Sequence, residues 1–349
     1  MSIAFISSDF HIIDGKLSPG GCGYYRCVLP MLVSGQQSHA GQEAWDSMRG
    51  FGIKDTGSTA IFGFSHVMLK LMMLRWTPRQ IELAQALGQR VYCDVDDFYQ
   101  GLTPANKAYS DTDSVKNKVQ NRDHYEKVID AVDVLTVSTP FLLDHYSKRR
   151  DNVVMVRNGV NMNQFTPVRQ NKKPVLGWTG ATDYRNNDLE QLREWLPDFL
   201  EQHDLKFHHA GHTENAPSFA DITGIDPRRL TTSPLVPIEM YPTGFKFDIG
   251  LIPLRDIPFN QAKSNIKGLE MVAAGIPFIA SDLPEYRLLH EDGVGLLATT
   301  PDQWIAQAEA LLPPHHRNRE AARQRAAVNA RWSIEARAPE WKSVFASTK

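Results

Sequence analysis

The stretch Phe259 to Ser281, FNQAKSNIKGLEMVAAGIPFIAS, constrains the chain most, because it reads as a loop, a helix and a strand in immediate succession. Ser264 is placed to cap the helix by accepting a backbone N–H bond. Gly275 closes it, and Ile276 to Ala280 is the short apolar run of a buried parallel strand. Ile266, Leu269, Val272 and Ala273 share one helix face. Lys267 and Glu270 lie three apart on an adjacent face, with Ala274 continuing that line. Asn260 and Lys263 sit in the preceding loop. A helix N-terminus with free N–H groups and two lysines suits a polyanion such as a diphosphate. Taken alone, the same residues also fit a solvated Lys–Glu pair on an amphipathic helix. The rest of the chain decides between the two.

At 349 residues the chain has room for two domains of ordinary size. Its net charge of −2 gives no global field toward nucleic acid or an anionic membrane. Cys22, Cys27 and Cys93 are an odd, sparse set without metal-ligand spacing, which argues against a disulfide framework or a zinc site and fits a reducing cytoplasm. The N-terminal MSIAFISSDF reads as a strand, not as a signal peptide. The most apolar helix candidate, HVMLKLMMLRW (His66 to Trp76), is too short and too charged to span a bilayer, so no transmembrane segment is expected.

The first half alternates strands and helices. Ile3 to Ser7 is a strand, followed by a long loop ending in PGGCGYYR, with a helix expected from about Tyr24. Gly20, Gly21 and Gly23 either let the backbone approach a phosphate or sugar, or form a plain turn. Arg26 stands where a dinucleotide fingerprint needs its third glycine, so an NAD site carries little weight. Thr59 to Phe64 is the next expected strand, and a helix follows from Pro78 to about Leu87. Arg90 to Val95 runs as a strand straight into Asp96 and Asp97. With Asp94, these carboxylates lie at a strand's C-terminal end, where open α/β sheets bind ligands. Metal ligation, sugar-hydroxyl binding, a general base or a loop-capping cluster all fit them. Phe98, Tyr99 and the loop through Tyr109 are placed to line an acceptor site. A helix over Ser114 to Ala131, strands over Val132 to Val137 and Asn152 to Val156, and a helix from Thr139 to Tyr146 complete this half. Thr166 to Lys173, TPVRQNKK, reads as a linker.

The alternation then restarts. Pro174 to Trp178 is a strand ending in Thr179-Gly180-Ala181-Thr182, with a helix from about Asn187 to Leu200. Leu205 to Gly211 is a strand whose His208 and His209 point to opposite faces, a pair that reads as structural. Phe247 to Leu254, FDIGLIPL, is a buried strand feeding the opening stretch. A strand over Gly293 to Ala298, a helix from Pro301 to Leu312 and a basic helix to Arg331 follow. Its Arg319, Arg323, Arg325 and Arg331 read as a solvated face. A last helix carries Trp341 and Phe345.

In order and spacing these pieces resemble the GT-B glycosyltransferases, in particular the glycosyltransferase family 4-like group (glycosyl transferases group 1). PGGCGYYR, VDVLTVSTPFL, VVMVRNGVNMNQF, VLGWTGAT, FDIGLIPL, AKSNIKGLEMVAAGIPFIAS and WSIEARAPEW carry the resemblance over nearly the whole length. It implies an α/β fold of two Rossmann-like parallel-sheet domains facing across a cleft. The implied bounds are 1–166 for an acceptor domain and 174–332 for a donor domain, with 333–349 crossing back to the first. It further implies that Gly20, Gly21 and Gly23 close over a nucleotide-diphosphate sugar, with Thr179, Gly180 and Thr182 at its diphosphate. Lys263 and Lys267 would neutralise the diphosphate, and Ser264 and Asn265 would present the helix N-terminus to it. Glu270 would bind the ribose, and the base would lie near Leu235 and Val236. Asp96 or Asp97 would face the acceptor.

The chemistry is consistent with that assignment. Lysines and an oriented helix N-terminus stabilise a leaving diphosphate without a metal, and closure of a cleft excludes water. Asp97 is the best candidate for a base on an acceptor hydroxyl. The family's retaining members carry two glutamates with seven residues between them. Glu270 matches the second and Ala262 stands at the first, which leaves retention or inversion open. The donor is expected to be a UDP-, GDP- or dTDP-sugar. The acceptor is a saccharide, a lipid-linked sugar, a protein or a modified DNA base. A catalytically impaired sugar-nucleotide-binding protein and a GT-B epimerase are the alternatives.

Overall fold

The computed structural model describes residues 2–13, 16–34, 37–39, 64–73, 75, 77–112 and 121–346. A first six-stranded parallel sheet is built from β1 (Ser2–Ser7), β4 (Gln37–His39), β5 (His66–Lys70), β6 (Arg90–Val95), β7 (Val134–Val137) and β8 (Val153–Met155), in the order β4-β1-β5-β6-β7-β8. The short antiparallel pair β2 (Phe10–Ile13) and β3 (Lys16–Pro19) follows β1 as a separate two-stranded sheet. A second parallel sheet holds β9 (Val175–Thr179), β10 (Lys206–His212), β11 (Leu230–Pro234), β12 (Ile249–Ile252), β13 (Phe278–Ser281) and β14 (Leu296–Ala298), in the order β11-β10-β9-β12-β13-β14. Helices cover both faces of each sheet, which is why the strands read as continuous apolar runs. In the first sheet the strand order reverses between β1 and β5, in the second between β9 and β12. Open α/β sheets bind ligands outside the strand C-termini at such switch points. Here both sets of C-termini look into one cleft.

The last helix, Ile334–Ala346, returns to the first domain. Ile334, Trp341, Val344 and Phe345 pack with Ile3, Phe5, Tyr92 and Val134, and Phe345 meets Phe5 and Tyr92 edge-on at 5.7 and 5.3 Å. A bridge between Val160 and Ser333 fixes the crossing point. Among the described residues no helix is long and apolar enough to cross a membrane.

Three local expectations change and a fourth lies outside the described residues. His66 to Lys70 is not helical: it is β5, in register with β1 and β6, and all five residues are buried between two layers. The expected strand Thr59 to Phe64 lies, save Phe64, outside the described residues. The expected helix at Asn187 to Leu200 is broken into a 3-10 turn, Asp188–Leu192, and a helix, Leu196–Gln202, that restarts with Pro197 in its first turn. Ser264 does not cap the Ile266–Ala273 helix. Asn265 holds the cap position without a side-chain cap bond, and the Ser264 hydroxyl accepts instead from Asn158 of the other domain at 2.8 Å.

The other end of that helix matches its sequence. Gly275 has φ +73°, its N–H donates to Val272 O at 2.9 Å, and Ile276 N–H donates to Met271 O at 2.9 Å. This double bond pattern needs a left-handed residue. A Cβ at Gly275 would stand 3.2 Å from Pro167. Gly275→Ala is therefore expected to cost about 1–2 kcal/mol, read as a lowered urea midpoint at unchanged m-value.

Candidate active site

A cavity of about 750 Å³ lies between the two domains. At its second-domain end the chain leaves β9 through Gly180, at φ +132°, with its N–H on Ala210 O at 2.8 Å. A Cβ there would lie 2.8 Å from Arg185 Nη2 and 3.0 Å from Lys267 Nζ, so two cations converge over this glycine. Arg185 Nε donates to Ala181 O at 3.2 Å and Lys267 Nζ to Thr179 O at 2.5 Å. Both stand over the Trp178 ring, at 5.3 and 5.5 Å. Among the described residues neither forms a salt bridge. Burial, and then the Arg185 charge, push the Lys267 ammonium down to about 7. Burial lowers Arg185 as well.

Lys267 lies in the first turn of the Ile266–Ala273 helix, whose leading N–H groups have no intrahelical acceptor. Ser264, Ile266 and Lys267 line the cavity. One turn on, Glu270 accepts from Tyr25 Oη at 2.7 Å and from Tyr241 Oη at 3.3 Å, while Tyr241 Oη also meets Thr179 Oγ1 at 2.5 Å. Burial raises the Glu270 carboxyl, against the pull of Lys267 and the two phenols. Leu235 and Val236 form the wall beyond.

The other end is acidic. Asp96 and Asp97 follow β6 and line the cavity with Cys22 and Asp9. Lys263 of the second domain reaches across to Asp97 at 3.0 Å. Burial raises the Asp97 carboxyl, Lys263 opposes this, and the Asp96 charge adds to it; the net direction is up. Burial also works to raise Asp96, but the ion pair with fully buried Lys70 outweighs it and holds that carboxyl low. Behind them Arg26 clamps Asp94, with Nη2 at 2.7 Å from Oδ1. Cys22, Asp96 and Asp97 offer three ligand atoms within 4.8 Å of one another, the one set among the described residues with metal-binding geometry.

The remaining candidate residues separate into wall and scaffold. Gly21, Gly180, Val236, Lys263, Ser264, Lys267, Glu270, Asp96 and Asp97 line the cavity. Gly23 stands one step behind, its N–H on Asp9 Oδ2 at 2.8 Å. Thr179 is buried against Tyr241, Thr182 donates to Pro217 O at 2.7 Å, and Asn265 donates to Glu285 O at 3.3 Å. Ala262 is fully buried, packed with Phe259 on the core of the first domain, and its carbonyl accepts from Thr139 at 2.9 Å. His209 is structural: its Nε2–H donates to Gly180 O at 2.8 Å, and burial lowers it to about 4. Sequence reasoning missed Asp9, Tyr25, Lys70, Arg185 and Tyr241. Tyr25 and Arg185 were signalled only by lying close to the PGGCG and TGAT turns.

No family model matches the chain. Over 173 residues it is 28% identical to TuaH of Bacillus subtilis (strain 168), named as a teichuronic acid biosynthesis glycosyltransferase; the match spans 45% of this chain and 42% of that relative's length. Among solved structures, a sucrose-phosphate synthase from Thermosynechococcus elongatus superposes with a TM-score of 0.67 at 13% identity, covering 99% of this chain and 100% of that one. Anabaena HepE in complex with UDP-glucose superposes with a TM-score of 0.64 at 11% identity over 100% of both chains. A likeness this complete at so low an identity is one of architecture, and the chain has the GT-B fold shared by these glycosyltransferases.

Proposed function

We propose that the protein is a glycosyltransferase that moves a sugar from a nucleotide-diphosphate sugar to a hydroxyl acceptor without a metal ion. The observation that carries this reading is the convergence of Arg185 and Lys267 over Gly180, at a helix N-terminus and, among the described residues, without a salt-bridged carboxylate. Charge developing on a leaving diphosphate is stabilised most by such preorganised donors in a water-poor site. Glu270 then accepts from the ribose, and Asp97 takes the proton of the acceptor hydroxyl. Metal independence is supported by the charges around the Cys22–Asp96–Asp97 cluster. Lys263 and Lys70 already neutralise its two carboxylates, and Arg26 the neighbouring Asp94. The division of the chain at 166–174 into acceptor and donor domains belongs to the same reading.

We rank uridine nucleotides first among UDP, GDP and dTDP; HepE's complex with UDP-glucose supports that order. Among the acceptors we rank a saccharide first; TuaH's name, a teichuronic acid biosynthesis glycosyltransferase, supports that order. Ala262 favours the second reading, a sugar-nucleotide-binding protein without transfer activity, because its buried methyl offers nothing to a sugar hydroxyl. Calorimetry against the three nucleoside diphosphates tests the site. Lys267→Ala or Glu270→Ala is expected to weaken binding at least about tenfold, ~1.4 kcal/mol. Unchanged binding in both variants would sink the assignment. Donor hydrolysis, or transfer to any acceptor in a panel, excludes the non-catalytic reading.

A further inference from the structure

Glu270 is held from both sides of the cleft. Tyr241, on its own domain, donates to Oε2, and Tyr25, 245 residues earlier on the opposite domain, donates to Oε1. The Tyr25 side of the contact is built rather than incidental. Tyr25 is 4% exposed and Glu270 5%. Tyr25 stands in a π-helical turn, Tyr24–Val28, a local widening that often accompanies functional sites. Tyr24 meets its ring edge-on at 5.2 Å and donates to Gln164 Oε1 at 2.7 Å. Gln164 in turn donates to Ile238 O at 2.6 Å, beside the cavity. The phenol is thus fixed in position before it meets the carboxylate.

Each carboxylate oxygen accepts two hydrogen bonds. The two phenols take one site on each oxygen and leave one on each. A carboxylate held at both oxygens cannot rotate, so the free sites keep a fixed direction. The neighbouring Lys267 ammonium, over Gly180, lies three residues earlier on the same helix. A ligand that bridges these features carries a diphosphate and, a short distance away, a pair of hydroxyls.

We propose that Tyr25 is a positioning residue of the donor site, which fixes the Glu270 carboxylate from the opposite domain so that its free acceptor sites meet the two hydroxyls of a ribose. The proposal rests on the donor-site reading above. It makes the ribose subsite complete only when the two domains stand together, and so ties nucleotide affinity to closure of the cleft. A phenol that instead occupied the place of a ribose hydroxyl would compete with the nucleotide.

Calorimetric titration of UDP, GDP and dTDP into the wild type, Tyr25→Phe, Glu270→Gln and the double variant separates these cases. Phenylalanine keeps the ring packing, so the thermal midpoint is expected to stay within a few degrees. Tyr25→Phe is expected to weaken the best nucleotide about five- to tenfold. In the Glu270→Gln background the same change is expected to do nothing further, because Tyr25 acts through that carboxylate. A purely structural role would not produce this non-additivity. Wild-type affinity in Tyr25→Phe, tighter binding, or an effect that adds fully to that of Glu270→Gln overturns the proposal alone. A wild type that binds none of the three nucleotides overturns the donor-site reading, and this proposal with it.

Discussion

Asp94→Ala is expected to destabilise the protein by about 3–5 kcal/mol, the cost of leaving a buried ion-pair network without its central charge. Arg26 meets this carboxylate with Nε at 3.1 and 3.0 Å and Nη2 at 2.7 Å, Thr136 Oγ1 donates to it at 2.6 Å, and Lys70 stands 3.3 Å from Oδ2. Arg26, Lys70 and Asp94 are all 0% exposed. Without Asp94, among the described residues Arg26 keeps Val156 O and Asn158 Oδ1, at 2.7 and 2.9 Å, and Lys70 keeps Asp96 and the residue 94 carbonyl. The damage reaches the cleft, because Asn158 carries the bond to Ser264, and because Arg26 lies 4.8 Å over Trp341 of the returning helix. Urea unfolding followed by tryptophan fluorescence reads the loss. Removing the opposing charge as well, in Asp94→Ala/Arg26→Met, is expected to recover part of it. A single variant with the wild-type midpoint would show that water or relaxation screens the pair, and the network would then be no determinant of stability.

The same network shows what a sequence can and cannot display. The strands were legible because a parallel strand covered on both faces is a plain apolar run, as in Ile249–Ile252 and Phe278–Ser281. His66–Lys70 misled for a related reason: a short apolar run has no periodicity that separates a buried strand from a helix, and only its pairing between β1 and β6 does. Gly275 was legible because its conformation is local. Ser264 was not: its hydroxyl accepts from Asn158, 106 residues away. Lys263, Lys267 and Glu270 could be marked as a set because one helix start brings them together. Arg185 could not: it reaches Gly180 only because the chain turns back through the 3-10 segment Thr182–Tyr184. Ala262 was visible as a departure from the family's pattern, but its burial against the first domain depends on how Pro258–Gln261 docks there.

Removing both converging cations, Arg185→Ala with Lys267→Ala, is expected to weaken nucleoside diphosphate binding by about 4 kcal/mol, close to a thousandfold. The matching nucleoside, which lacks the diphosphate, is expected to bind both proteins alike, so the pair of ligands localises the effect to the phosphate end. The pH dependence gives a sharper signature. With the free Lys267 ammonium at about 7, the lysine of the empty site is half charged near neutrality. A bound diphosphate favours the charged form and raises that value. The sign follows from linkage: binding takes up a proton above pH 7, and affinity falls as pH rises through that value. The expected loss is about fivefold between pH 7 and pH 8, with proton uptake approaching one per site, measured by calorimetry in buffers of different ionisation enthalpy. Ionisation of a phosphate group, near pH 6, acts in the opposite sense and below this window. Lys267→Ala alone is expected to remove both the slope and the proton uptake while Arg185 retains part of the affinity. A slope that persists in that variant assigns the titrating group elsewhere, and Lys267 then enters the site as a fixed charge.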